Sequence, residues 1–170
     1  MVAAAAATAL TVEAVHAALA EIPDPEIPVI SITDLGIVRG VVVNGESVEV
    51  TITPTYSGCP AMHAIEEDVN TRLRAAGFSD VKIRTVLAPA WTTDWIAPQA
   101  RERLREYGIV PPHPVRAEDT HRIHLFSRSI ACPRCGSENT ERLSEFGSTA
   151  CKALYRCIDC REPFDYFKAL

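Results

Sequence analysis

Apolar and polar positions at the start of the chain follow a helical period. The apolar positions from Val15 to Ile22 recur at helical spacing, and Thr11 before them is a residue type that caps helices. This pattern predicts a first helix over Val12–Ala20. The prolines from Pro23 onward end that helix, because proline lacks the amide hydrogen that the next turn needs.

The pattern then changes to an extended period and predicts a β-hairpin. Residues 37–43 and 47–53 are rich in β-branched side chains, and Asn44-Gly45 between them is the favoured two-residue turn. Apolar and polar residues alternate in the second of these strands. One face of the hairpin is therefore expected to be buried and the other to be polar.

Two more helices and a third strand complete the expected architecture. One helix begins at Pro60 and runs to about Ala76, and a strand over residues 80–87 follows it. The strand–helix–strand order makes this strand parallel to the preceding one. A short helix over residues 98–107 comes before a proline-rich stretch. The sequence thus predicts an α+β fold with a compact three-stranded mixed sheet and helices on one side.

Four cysteines near the C-terminus form two C-x-x-C pairs, Cys132 with Cys135 and Cys157 with Cys160. The chain turns sharply in such a knuckle, so that both sulfurs face one metal at about 2.3 Å. A segment of about 40 residues buries too little surface to fold alone, and a structural Zn²⁺ would supply the missing stability. The two pairs predict a small all-β zinc ribbon with a closed Cys₄ site. Two disulfides are the alternative.

These elements divide the chain into four predicted segments. They are a lead over residues 1–10, an α/β domain over 11–110, a linker over 111–129 and the zinc ribbon over 130–170. A strand through Ile123 and Leu125 is expected within the linker. The histidines of that region, His113, His121 and His124, are interpreted as solvated side chains.

Composition and charge narrow the function classes. The 170 residues carry a net charge of −5, which argues against binding to nucleic acid phosphates. No apolar run approaches the roughly 20 residues that cross a bilayer. The alanine-rich start lacks the basic residues of an export signal, so we expect a cytoplasmic protein whose cysteines stay reduced.

Cys59 is the candidate reactive thiol. It directly precedes Pro60 and is predicted to lie at the N-cap of the second helix, where free backbone N–H groups and the helix dipole favour a thiolate. His63 lies one turn into that helix and could face the same opening. An inert buried cysteine is the alternative. Cys151, the odd cysteine of the ribbon, is interpreted as a packed small residue, with a redox role or a role as a transient ligand as the alternative.

Three carboxylates lie in the long loop before the hairpin: Asp24, Glu26 and Asp34. Carboxylates next to a thiol could help to bind a metal ion. Aspartate is also a common turn former, and Asp34 could simply cap a turn. The sequence leaves both interpretations open. It contains no phosphate-binding glycine loop and no hydrolase nucleophile motif.

Three runs and the C-terminal tail resemble known families. The runs are DPEIPVISITDLGIV, TPTYSGCPAMHAIEEDV and APAWTTDWI, and they resemble the iron–sulfur assembly domain family that includes SufT. The tail is CPRCGSENTERLSEFGSTACKALYRCIDCREPFDYF, and it is similar to that of the PaaD (PaaJ) family of the phenylacetate degradation system. The resemblance spans residues 11 to 168.

The resemblance implies an accessory protein without catalytic activity. Its role would be to insert iron–sulfur clusters or metal into the multicomponent phenylacetyl-CoA epoxidase, which has an oxygenase and a reductase with a [2Fe–2S] cluster. The family's reactive cysteine falls on Cys59, and its acidic loop positions fall on Asp24, Glu26 and Asp34. Cys59 would then hold iron or a cluster transiently, with thiols of a partner or across a homodimer.

Other functions remain open at this stage. The chain could be a structural subunit of the oxygenase without metal transfer, with Trp91 and Trp95 as interface anchors or as core residues. A Cys59-dependent enzyme and a nucleic-acid-binding ribbon are further alternatives. One cysteine and one histidine lack the third partner and the oxyanion site that a hydrolase needs.

Overall fold

The computed structural model describes residues 10–112 and 129–168, and it divides into two compact units between Ala90 and Trp91. Most of the predicted lead and linker, including the strand through Ile123 and Leu125, lies outside the described residues. No helix among the described residues is long and apolar enough to span a membrane.

The first unit has two helices and three strands. In chain order they are α1 (Val12–Ala20), β1 (Val38–Asn44), β2 (Ser47–Ile52), α2 (Ala61–Ala75) and β3 (Asp80–Thr85). The sheet order is β1-β2-β3, with β1 antiparallel and β3 parallel to β2. The predicted three-stranded mixed sheet is therefore confirmed.

The core of this unit lies between β2 and the two helices. Its fully buried side chains come from one face of each of these elements, namely Val15, Leu19, Val48, Val50, Ile52, Ile65, Val69 and Leu73. The alternation in β2 places every second side chain in this core, whereas Glu49 on the opposite face reaches Arg84 of β3. The apolar stripe of α2 thus fixes the position of that helix and of the loop that leads into it.

The long loop before β1 is held by its own apolar side chains. The buried residues of this loop are Ile22, Ile27, Ile30, Ile32, Leu35 and Ile37. Pro23 and Ser31 form an isolated antiparallel bridge, and the Asp24 N–H donates to the carbonyl of Ile30 at 2.9 Å. This anchoring gives the acidic residues of the loop defined positions despite the absence of regular secondary structure.

The second unit contains a helix as well as the cysteine-rich sheet. A 3₁₀ turn precedes α3 (Pro98–Tyr107), and the strands are β4 (Ile109–Val110), β5 (Thr140–Ser144), β6 (Lys152–Cys157) and β7 (Pro163–Phe167). The sheet order is β4-β7-β6-β5. The mixed sheet of the first unit and this second sheet together confirm the predicted fold class.

The boundary between the units differs from the predicted one. The sequence places the end of the first domain at residue 110, whereas the structure divides the chain after Ala90. The physical reason is that β4 pairs with β7, with Ile109 opposite Asp165, and draws α3 into the second unit. A two-residue strand carries no periodic signal, so its pairing could not be predicted from the local pattern.

Candidate functional site

The two C-x-x-C knuckles bring four sulfur atoms together. The Sγ atoms of Cys132, Cys135, Cys157 and Cys160 all lie within 4.8 Å of one another. The Cys132–Cys160 pair is 3.7 Å apart and the Cys135–Cys157 pair is 3.6 Å apart. Four thiolates at about 2.3 Å from a tetrahedral zinc ion have S···S edges of roughly 3.8 Å. The arrangement therefore fits a structural zinc ion, and it does not fit disulfides, whose sulfurs are about 2.05 Å apart.

Tight turns create this spacing. Gly136 has a φ of 75° and its N–H donates to the carbonyl of Cys132, while Arg161 has a φ of 64° just after the second knuckle. The left-handed region is easy for glycine and uncommon for other residues. The turn at Gly136 could therefore be predicted from the sequence, whereas the conformation of Arg161 could not.

The backbone N–H groups and the neighbouring sulfurs shift the pKa values of Cys157 and Cys135 in opposite directions. The N–H of Cys160 points at the sulfur of Cys157, 3.5 Å away, and lowers the pKa of Cys157 to about 7. The N–H of Ser137 acts in the same sense on Cys135, but the neighbouring Cys157 sulfur raises the pKa of Cys135 to about 12. A metal ion would replace the proton that the two sulfurs share.

Cys59 lies one residue before the N-cap of α2 and is half-buried. The helix begins at Ala61 with Pro60 as its N-cap, one residue later than predicted. Gly58 has a φ of 86°, and the Cys59 N–H donates to the carbonyl of Tyr56 at 3.2 Å. The side chain therefore lies at the end of a tight turn and is not sealed in the core.

The electrostatics of Cys59 differ from the prediction. Burial raises the pKa of Cys59, and the backbone N–H of Ala61 and the side chain of Tyr56 offset only part of that effect. The carboxylates of Glu26 and Asp24 raise the pKa further. The expected thiolate is thus not the favoured form in the free protein, because partial burial and two negative charges outweigh the helix terminus.

Similarity to known proteins covers both halves of the chain. Residues 12–85 match the family model of the iron–sulfur cluster assembly protein, and residues 116–168 match that of the PaaD zinc beta ribbon domain. A relative from Escherichia coli K12, named as a subunit of a "Putative 1,2-phenylacetyl-CoA epoxidase", is 54% identical over 159 residues. That alignment covers 94% of this chain and 93% of the relative. The chain belongs to the PaaD family. Both parts of the predicted resemblance are thereby confirmed.

Two more distant proteins match about half of this PaaD family member. The "Fe-S protein maturation auxiliary factor" of Porphyromonas gingivalis W83 is 39% identical over 83 residues, which cover 48% of this chain and 78% of the relative. A crystal structure of a domain of unknown function from Bacillus anthracis has a TM-score of 0.51 at 26% identity. It covers 54% of this chain and 89% of that one.

The structure brings only some of the predicted site residues of this PaaD family member together. Glu26 and Asp24 act electrostatically on Cys59. Asp24 is only 5% exposed, and its Oδ1 accepts the N–H groups of Glu26 and Ile27 at 2.9 and 2.8 Å. Within the described residues, the four-cysteine group is the one whose ligand atoms are spaced to hold a metal ion. Cys59 and its carboxylates are therefore not spaced to hold a metal ion by themselves.

Asp34 and His63 have other contacts. The Asp34 carboxylate accepts hydrogen bonds from the N–H and the hydroxyl of Ser31 at 3.1 and 2.7 Å, as expected of a turn-capping residue. The His63 side chain is 81% exposed and its Nδ1 lies 3.5 Å from Glu67, one turn along α2. These contacts favour the structural interpretation of both residues.

The remaining candidates are also placed by the structure. Trp91 is buried and packs on Phe167, which favours core packing over the role of an interface anchor, whereas Trp95 is half-buried. Cys151 is buried with its sulfur 3.0 Å from the Thr149 hydroxyl, which agrees with a packed small residue. The three histidines of the predicted linker lie outside the described residues.

Sequence reasoning missed the contribution of Asp159. This residue lies inside the second knuckle, and its carboxylate is bonded to two side chains that follow the first knuckle. The pattern C-x-D-C was visible in the sequence. Nothing in it indicated which residues would meet the aspartate, because its partners lie about twenty positions away.

Proposed function

We propose that this chain is an accessory protein that helps to insert an iron–sulfur cluster or iron into the multicomponent phenylacetyl-CoA epoxidase. The observation that carries the proposal is the position of Cys59 inside the segment that matches the iron–sulfur assembly family. Cys59 is a half-buried thiol, and the carboxylates of Glu26 and Asp24 act on it electrostatically. The names of the relatives, an epoxidase subunit and a maturation factor, support the same role.

An incomplete ligand set suits a protein that must release its cargo. An iron–sulfur cluster needs four ligands, and Cys59 can supply one of them. The remaining ligands would come from the client or from the Cys59 of a second copy of the chain. A site with all four ligands on one chain would retain the cluster and compete with the client for it.

The carboxylates next to Cys59 set the sign of the charge that the site accepts. Asp24 and Glu26 disfavour an additional negative charge and favour a cation, so they oppose a free thiolate and support an iron-bound one. Binding of iron would therefore displace the Cys59 proton, and the site would remain protonated between deliveries. The acidic loop thus protects the thiol from reaction without a metal.

The ribbon has a separate part in this proposal. Its four cysteines would hold a structural zinc ion, which keeps the cysteine-rich sheet folded and leaves no open position for substrate. The ribbon would present a surface to the client, which we expect to be the reductase or the oxygenase of the epoxidase.

A co-expression experiment tests the proposal. Cys59→Ser is co-expressed with the reductase and the oxygenase, and iron, labile sulfide and epoxidase activity are measured in the purified clients. We expect loss of cluster or iron from a client while the complex still assembles. Cys151→Ala is the matched control, because it removes a thiol from the same chain without changing the Cys59 loop.

A purely structural subunit is the second candidate, favoured by apolar side chains that the ribbon exposes. Phe146 is 62% and Leu143 is 49% exposed on or next to the outer strand β5. Normal metal content and activity with Cys59→Ser, together with loss of assembly for Phe146→Ala, would favour this function over metal transfer.

A further inference from the structure

The two knuckles of the ribbon are joined by hydrogen bonds that do not pass through the sulfurs. Asp159 lies between Cys157 and Cys160, and its Oδ1 accepts from the Nδ2 of Asn139 at 2.8 Å. Its Oδ2 accepts from the hydroxyl of Ser137. Both partners come directly after the first knuckle. We propose that Asp159 is a positioning residue that latches the second knuckle onto the first and holds the four sulfurs at ligand spacing.

The partners of Asp159 are themselves fixed. The carbonyl of Ser137 accepts the N–H of Cys132 at 2.9 Å, and the hydroxyl of Ser137 accepts the N–H of Asn139 at 3.0 Å. The carbonyl of Asn139 accepts the N–H of Ile158 at 2.9 Å. The backbone of Ser137 and Asn139 is therefore already held by hydrogen bonds to the knuckles. The latch adds two bonds from the side chains of these residues to the carboxylate of Asp159 in the second knuckle.

Charge attraction does not account for the aspartate. Four thiolates around one divalent zinc ion leave the site negatively charged, so a nearby carboxylate opposes the ligand set electrostatically. What Asp159 contributes is geometry, because its two oxygens receive two donors at once. Groups that orient metal ligands from outside the coordination sphere typically change metal affinity by about 10- to 100-fold when they are removed.

This inference goes beyond the proposed function, since it concerns retention of the ribbon metal and does not depend on Cys59. Two substitutions of Asp159 separate the hydrogen bonds of its carboxylate from its negative charge. Asparagine at position 159 has the same shape, can accept from Asn139 and can donate to the Ser137 hydroxyl, but it carries no charge. Alanine removes both bonds.

The test uses the full-length zinc-loaded chain and measures the rate of zinc transfer to an excess of a chromophoric chelator. We expect Asp159→Ala to release zinc about tenfold faster than the parent chain. Asp159→Asn should release zinc at nearly the parent rate. Glu138→Ala, which removes an exposed carboxylate from the same loop, is the control and should leave the rate unchanged. Cobalt-substituted protein should keep a tetrahedral absorption spectrum in every variant.

A single-bond variant keeps the proposal testable if Asp159→Ala fails to fold. Asn139→Ala removes only the Asn139–Asp159 bond and should release zinc faster than the parent chain; parent-like release from Asn139→Ala would overturn the latch. Where Asp159→Ala folds, adding Asn139→Ala to it should have no further effect, because the bond that they share is already gone. Parent-like release from Asp159→Ala, equally fast release from the alanine and asparagine variants, or fully additive effects would each overturn the latch.

Discussion

The indole of Trp91 packs against the ring of Phe167, with ring centroids 6.0 Å apart and planes inclined by 46°. This contact joins the segment before α3 to the last strand of the cysteine-rich sheet. Both tryptophans of the chain lie after Ala90 and therefore belong to the second unit.

Removal of the ribbon metal should therefore change the fluorescence. With a strong chelator we expect the emission of Trp91 to shift to longer wavelength, because β7 loses the metal that stabilises its sheet and Phe167 no longer covers the indole. Hydrogen exchange should show that amides of α1 and α2 keep their protection. Loss of protection in α2 at the same chelator concentration would contradict the division into two units.

The reactivity of Cys59 should depend on pH and on Glu26. Because burial and the carboxylates raise its pKa, the thiolate fraction is small at neutral pH and grows as the pH rises through that elevated pKa. Glu26→Gln removes one of the charges that raise the pKa, so alkylation of Cys59 at a fixed, mildly alkaline pH should become faster.

Mass spectrometry of the zinc-loaded chain after timed exposure to iodoacetamide measures this rate at Cys59 itself. Glu67→Gln is the control, because Glu67 lies on the same helix but pairs with His63. If Glu26→Gln leaves the pH profile where it is, the carboxylate does not act on the thiol as the structure indicates.

The buried lysine of β6 depends on its partner in β7. The Lys152 side chain is only 4% exposed, and its Nζ lies 3.8 Å from the Asp165 carboxylate. Asp165→Ala leaves the buried ammonium group of Lys152 without this carboxylate. We therefore expect a loss of about 3 kcal/mol in the free energy of unfolding. The double variant Lys152→Met, Asp165→Leu should recover most of this loss, as measured by urea denaturation of the zinc-loaded protein.

Leu73 should be among the residues on which the first unit depends most. It is fully buried in the apolar stripe of α2, and Leu73→Ala removes its contacts and leaves a cavity. We expect a loss of about 2–5 kcal/mol in the free energy of unfolding. Thr71→Ala on the exposed face of the same helix is the control and should change stability by less than about 0.5 kcal/mol. Equal losses in both variants would show that α2 does not pack as described.

The ends of α1 and the turn of the hairpin could be predicted because neighbouring residues decide them. α1 occupies Val12–Ala20 behind the Thr11 cap, whose hydroxyl accepts the N–H of Ala14. The hairpin turns at Asn44-Gly45, with Gly45 at a φ of 62°. Caps and two-residue turns are decided by neighbouring residues, so the sequence indicates them directly.

Residue types at short, fixed spacing were enough to predict the three helices, the strands of the mixed sheet and the two knuckles, and the longer runs of sequence were enough to indicate the family. Tertiary structure alone decided that β4 joins β7, that Asp24 and Glu26 lie close enough to Cys59 to raise its pKa, and that Asp159 meets Ser137 and Asn139. These relationships join residues that lie far apart along the chain. Their energies depend on how deeply the groups are buried and on the distances between them, and the folded chain alone sets these quantities.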